Sequence, residues 1–176
     1  MLPSQKLLRK LLTAAAVAAT PAAALAAQPV YLFLKANDVD IQGEPSVVSL
    51  GRANSIECVG FHVALQAGSA PAATVLTCKK RIDKASPLLV KALAEQQSLV
   101  FTFRFYRPNP VGDGTTEQFF TVASAPAGAR LVSLEQVSPS AVDADTSGLP
   151  ALESISIRVP GALCFSSSGG TAYCTP

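Results

Sequence analysis

Apolar and polar residues alternate with a period of two along most of the chain beyond residue 29, and glycines and prolines break the alternation at intervals. Val30, Leu32 and Leu34 alternate with Tyr31, Phe33 and Lys35, which predicts a first strand. A long connection follows from Asn37 to about Asn54, carrying Gly43, Pro45 and Gly51. Ile56 to Gln66 and Thr74 to Ile82 predict a strand pair. The clearest strand is Ser98 to Arg107: Leu99, Phe101, Phe103 and Phe105 point one way and Val100, Thr102, Arg104 and Tyr106 the other. One face should be core and the other partly solvated. Pro108 to Thr116 cannot continue it, because two prolines lack amide donors and Gly112-Asp113-Gly114 favours a turn. Glu117 to Ala123, Arg130 to Val137 and Leu152 to Val159 supply further strands.

One helix is signalled, over about Pro87 to Gln96 (87–96). Ser86 can cap its first amides, Pro87 suits the first helical position, and Leu88, Val90, Ala92 and Leu93 supply apolar groups. An isolated helix this short is marginal in water, so it must pack on the strands. The pattern predicts a mainly β fold, a barrel or sandwich with one packed α-helix.

The first 26 residues read as a secretory signal peptide rather than as part of the fold. Lys6, Arg9 and Lys10 precede the apolar run Leu11 to Ala19, and Ala24-Leu25-Ala26 places small residues where a signal peptidase reads them. Cleavage before Ala27 would remove three positive charges from a formal net charge of +2, leaving −1. The remaining 27–176 make one ordinary domain. A near-neutral chain without clustered Lys and Arg has no electrostatic footprint for nucleic acid or for an anionic membrane. The expected location is the periplasm or the exterior.

Export puts Cys58, Cys78, Cys164 and Cys174 where disulfides persist. Four cysteines allow three pairings. Cys58 and Cys78 flank the turn-like Ala67-Gly68-Ser69-Ala70, and Cys164 and Cys174 flank Ser168-Gly169-Gly170, so each pair can face across a hairpin. Opposed residues of antiparallel strands lie within disulfide range, which favours Cys58–Cys78 and Cys164–Cys174.

Candidate chemistry is sparse. A Ser–His–acid arrangement would have to use His62, the only histidine, which the alternation places within a strand, and no G-x-S-x-G elbow accompanies it. Asp143-Ala144-Asp145-Thr146-Ser147-Gly148 resembles the start of a calcium loop, but Ser154 stands where its closing acid belongs. Lys79-Lys80-Arg81 reads as a solvated face. We expect no enzymatic activity, no cofactor and no metal.

Three stretches resemble the Hcp family, the tube-forming proteins of type VI secretion. They are Phe33-Leu34-Lys35 followed by Ile41-Gln42-Gly43-Glu44; Ile82-Asp83-Lys84-Ala85-Ser86-Pro87-Leu88-Leu89; and Phe105-Tyr106-Arg107-Pro108-Asn109-Pro110 running into Gly112-Asp113-Gly114-Thr115-Thr116-Glu117-Gln118-Phe119. The resemblance implies a β barrel of two sheets with a helix alongside, built into hexameric rings that can stack as a hollow tube for effector proteins; the alternative is a monomeric periplasmic or extracellular binding module that retains the same fold. It also implies that the connection after the first strand lies at subunit contacts. The expected assembly residues are Asp40, Ile41, Gly43, Glu44 and Pro45, with Pro108, Pro110 and Asp113 on the second loop. Two features depart from the family: the signal peptide, and a tail over 160–176 in which a disulfide-closed hairpin replaces an aromatic-rich last strand.

Overall fold

The computed structural model describes residues 28–65, 74–125, 128–143 and 145–175. The expected signal peptide and the expected turn at 67–70 lie outside these residues. The order of elements is β1 (Val30–Ala36), β2 (Val39–Ile41), β3 (Ile56–Val63), β4 (Thr74–Arg81), α1 (Ser86–Ala94), β5 (Leu99–Pro108), β6 (Thr116–Ser124), β7 (Arg130–Val137), β8 (Leu152–Val159), β9 (Leu163–Ser167) and β10 (Ala172–Cys174). All pairings are antiparallel.

Period-two alternation becomes the inner face of the sheet. Leu32 and Leu34 on β1, Leu99, Phe101 and Phe103 on β5, Leu76 on β4, and Ile155 and Ile157 on β8 are buried together. α1 adds Leu89 and Ala92 to the same core and packs on β7. Each large apolar side chain so buried contributes roughly 1.5–3 kcal/mol, and this inner face is what holds the strands in register.

The fold is mainly β with one packed helix, as expected, but in place of a closed barrel of two sheets its strands form one ten-stranded sheet in the order β10-β9-β6-β5-β1-β3-β4-β8-β7, with β2 attached to β1. It curls without closing. The reason lies in β5, whose edge opposite β1 pairs with β6 from Thr102 to Pro108. Only the first residues of β5 remain for the far end of the sheet, and there a single bridge, Leu99 to Ala129, touches the approach to β7.

The connection from Asn37 to Asn54 is not all loop. Asn37 and Asp38 take positive φ values of 47° and 66°, and the chain folds back as a tight hairpin in which Ala36 faces Val39 and Leu34 faces Ile41. Two successive left-handed residues suit a two-residue hairpin turn, and Asn and Asp tolerate that conformation best after glycine.

The helix begins at Ser86, and Ser86 does not cap it. Its hydroxyl donates to Glu153 at 2.7 Å and accepts from the Asp83 amide at 3.1 Å. Asp83 receives the Ala85 amide instead, at 3.0 Å. Lys80 corrects a second expectation. Lys79 and Arg81 are exposed, but Lys80 continues the inward row of Leu76 and Cys78 and is fully buried. Its ammonium lies 2.5 Å from Glu153 and 2.7 Å from Asp83, and also donates to the Arg81 carbonyl and the Ser86 hydroxyl. This cluster ties β4, β8 and the start of α1 together.

Both cysteine pairs are bonded, in different surroundings. Cys164 and Cys174 are directly opposed across β9 and β10. Cys58 and Cys78 are offset, since Cys58 faces Lys80 while Cys78 faces Phe61, and a bulge at Val59 brings them together in the core.

Candidate functional site

The outer face of β1 and β5 would be solvated in a plain alternating sheet, yet Tyr31 and Tyr106 are 1% and 3% exposed there. The segment 42–55 covers them. Its start is fixed by Gly43, whose amide donates to the Asn54 carbonyl at 3.1 Å. A Cβ at Gly43 would lie 2.6 Å from the Ser55 carbonyl oxygen, so only glycine permits this approach. Glu44 donates its amide to Asp83 at 3.0 Å, and the Ser46 amide and hydroxyl donate to Glu57.

Arg52 is the anchor of this segment. Its guanidinium stands 4.6 Å from the Tyr106 ring centroid and 5.3 Å from that of Tyr31, and the two rings meet edge to face. It donates to the Ser49 carbonyl and hydroxyl and to the Thr116 hydroxyl. The Tyr106 hydroxyl donates to the Leu50 carbonyl at 3.1 Å. Burial holds the Tyr31 phenol above its ordinary value, the Glu57 carboxylate adds to this, and Arg52 opposes both.

Thr116 opens β6, directly after the second loop, so Arg52 ties the two sequence-predicted segments to one another. The second loop is itself held by short bonds. Thr115 donates its amide and hydroxyl to Asp113, the Val111 amide donates to the Asn109 side-chain oxygen, and the Asn109 amide donates to the Thr115 carbonyl. These bonds from Thr115 keep the Asp113 carboxyl below its usual range.

The structure divides the predicted assembly residues. Asp40 and Ile41 belong to β2; Asp40 is exposed and forms a surface ion pair with Lys35, whereas Ile41 is buried in the core. Gly43 is buried, Pro45 half-buried and Glu44 exposed. Pro108, Pro110 and Asp113 are exposed. Beside these polar groups the two segments expose apolar side chains: Val39, Val48 and Leu50 on the first and Val111 on the second, the last 84% exposed. Sequence reasoning missed Arg52, Tyr31 and Tyr106. No local pattern marks them, since the partners are far apart in the chain.

The remaining candidates do not assemble a reactive centre. His62 is exposed on β3. Asp143 accepts the Asp145 amide and its carbonyl receives the Ser147 amide, an internally bonded polar turn. Among the described residues no three His, Cys, Asp or Glu side chains are placed to hold a metal, and no helix is long and apolar enough to cross a membrane. In the Lys80 cluster, Lys80 and Glu153 are buried and Asp83 is partly buried. A groove of about 450 Å³ outside β4, β8 and β7 is lined mainly by Val137, Pro139, Leu149, Pro150 and Leu152.

Of the three segments that resemble a known family, two build and border this face, and the third, 82–89, leads into α1. A family-level sequence profile described as "Type VI secretion system effector, Hcp" matches residues 33–157. Among solved structures, the Hcp1 protein from E. coli EAEC 042 superposes with a TM-score of 0.66 at 24% identity, over 85% of this chain and 98% of that one. The secreted protein Hcp3 from Pseudomonas aeruginosa gives 0.66 at 19% identity, over 85% and 97%. A further Hcp protein gives 0.68 at 17% identity, over 85% and 97%. No curated protein sequence matches the chain.

Proposed function

Because this chain belongs to the Hcp family of type VI secretion, we propose that it is a ring-forming, tube-building subunit of such a system, or an exported paralogue of one. It acts by self-assembly and packing, without catalysis, and its rings present a hollow to effector proteins. The observation that carries this reading is the continuous family match over residues 33–157, which takes in both outward-facing segments and the strands beneath them. In this reading residues 1–26 are a secretory signal removed before assembly, and the mature chain works in the periplasm or outside the cell.

Two features of the chain support association through the β1–β5 face. Segment 42–55 is fixed on its inner side by Gly43, Arg52 and Glu57, so docking costs little ordering entropy. Its outer side carries Val48 and Leu50, 63% and 57% exposed, and apolar groups of this kind are what an interface buries.

The native mass of the mature protein tests the proposal. A sixfold assembly is expected, and it should fall apart in the double variant Val48→Asp with Leu50→Asp, which leaves every inward-facing anchor untouched. A monomer at all concentrations would reject ring formation; an intact hexamer in the variant would remove this segment from the interface.

A further inference from the structure

The two disulfides differ in what depends on them. Cys58 and Cys78 sit in the core at 0% and 1% exposure, held by packing on all sides. The Cys164–Cys174 bridge fastens β10, a strand of three residues at the end of the sheet, and all three are exposed, Tyr173 by 68%. β10 therefore adds nothing to the core. Apart from the bridge it is held to β9 by backbone pairing and by the bonds of Thr175 to Leu163 and of Ser167 to Thr171. An edge strand this short offers little for another chain to pair with.

β9 beneath it is different. It has five residues, and Leu163 is fully buried while Phe165 packs against the core. The amides of Leu163 and Ser167 point toward the β10 side, to Thr175 and Thr171, and alternation places those of Phe165 the same way. Phe165 is the midpoint of the strand. The free groups that β10 now covers are thus arranged symmetrically about one residue, which is what two identical antiparallel strands need to pair across a two-fold axis.

We infer that the edge of β9 is a covered pairing site for the β9 of a second copy of this chain, and that the Cys164–Cys174 bridge keeps it covered. Opening follows ordinary thiol–disulfide exchange with a dithiol. One thiolate of the dithiol attacks a sulfur of the bridge, forms a mixed disulfide and releases the other cysteine as a thiolate. The second thiol of the reagent then displaces the first, so two electrons pass to the protein and the dithiol leaves as a cyclic disulfide. Access selects the exposed bridge over the buried one. β10 then leaves, and two β9 strands join with Phe165 facing Phe165 and Leu163 facing Ser167. This pairing is separate from the β1–β5 face and does not depend on ring formation.

The test uses the mature chain, graded dithiothreitol and alkylation with N-ethylmaleimide, read by peptide mass, native mass and hydrogen exchange. Cys164 and Cys174 should be labelled at dithiol concentrations that leave Cys58 and Cys78 unlabelled. The variant Cys164→Ser with Cys174→Ser should show a concentration-dependent doubling of the native mass found for the oxidised chain. A peptide of residues 171–175 should reverse that doubling. In dilute variant, before association, the Leu163, Phe165 and Ser167 amides should exchange at least tenfold faster than in the oxidised chain. Labelling of all four cysteines together, or a variant with the native mass and β9 exchange of the oxidised protein, would overturn the inference. Failure of the oxidised protein to form rings would leave it standing.

Discussion

Among the described residues two cations, Lys80 and Arg52, are buried, and by opposite means. Lys80, on the inner face, is surrounded by carboxylates: Glu153 and Asp83 take its charge, and Ser86 and the Arg81 carbonyl complete its donors. Arg52, on the outer face, forms no ion pair among the described residues and lies over two tyrosine rings, bonded to neutral oxygens of Ser49 and Thr116. The difference follows from the two side chains. An ammonium is a compact, strongly hydrated charge that must be compensated when water is stripped away, whereas a planar guanidinium is weakly hydrated and can stack. Lys80 thereby locks the helix start to the inner core, and Arg52 binds a surface segment to the sheet.

The largest effect expected from breaking this contrast is at the inner site. Lys80→Met removes the cation and leaves Glu153 sealed from solvent with no opposite charge, which should cost about 3–5 kcal/mol. Urea denaturation measures it. Adding Glu153→Leu should recover part of the loss, because the uncompensated carboxylate is gone; a double variant no more stable than the single one would show that the cluster is not governed by charge.

The outer site should respond differently. Arg52→Lys keeps the charge but loses the stacked plane and the fork that reaches both Ser49 and Thr116, at an expected cost of about 1–2 kcal/mol. The readout is faster hydrogen exchange in residues 46–54, with the amides of β8 unaffected. If Arg52→Lys were neutral, the site would need only a positive charge and the contrast with Lys80 would collapse. Tyr106→Phe is milder still. The ring under Arg52 stays and one bond to the Leu50 carbonyl goes, for about 0.5–1.5 kcal/mol on the same denaturation measurement.

These two sites also show where the sequence is readable. β5 and β8 are plain in it because Leu99, Phe101 and Phe103, and Ile155 and Ile157, repeat every second residue over a length that no other element could use. β2 escapes notice because three residues are too few to show a period, although Asn37-Asp38 carried the turn signal. Lys80 was legible in one sense and misread in another. Alternation with Leu76 and Cys78 points it inward, but its place in Lys79-Lys80-Arg81 suggests a solvated run, and only Glu153, seventy-three residues later, decides between them. Arg52 had no local signal, since Tyr31 and Tyr106 come from distant strands. The helix cap was misassigned for a similar reason: the Ser86 hydroxyl serves Glu153 and the Asp83 amide. Local patterns thus gave the strands, while long-range polar pairings set the details of the site.

The finest test concerns the proton on Tyr31, which reports how dry the outer site is. Its phenol is held above the ordinary value first by burial and then by the Glu57 carboxylate, while Arg52 pulls it down. Unfolded tyrosine ionises near pH 10, so the two states match in protonation below that and the shift has no effect on stability there. Above about pH 10 the unfolded chain loses this proton before the folded one does, and stability falls as the pH rises. Absorbance titration of tyrosinate should therefore show Tyr31 ionising above the ordinary tyrosine value. Glu57→Gln removes the second of the three raising causes, burial being the largest and Tyr106 the smallest, and should bring Tyr31 to a lower pH. An unchanged titration in that variant would show that burial outweighs the Glu57 charge, and the Arg52 side of the comparison would then rest on desolvation and stacking rather than on charge.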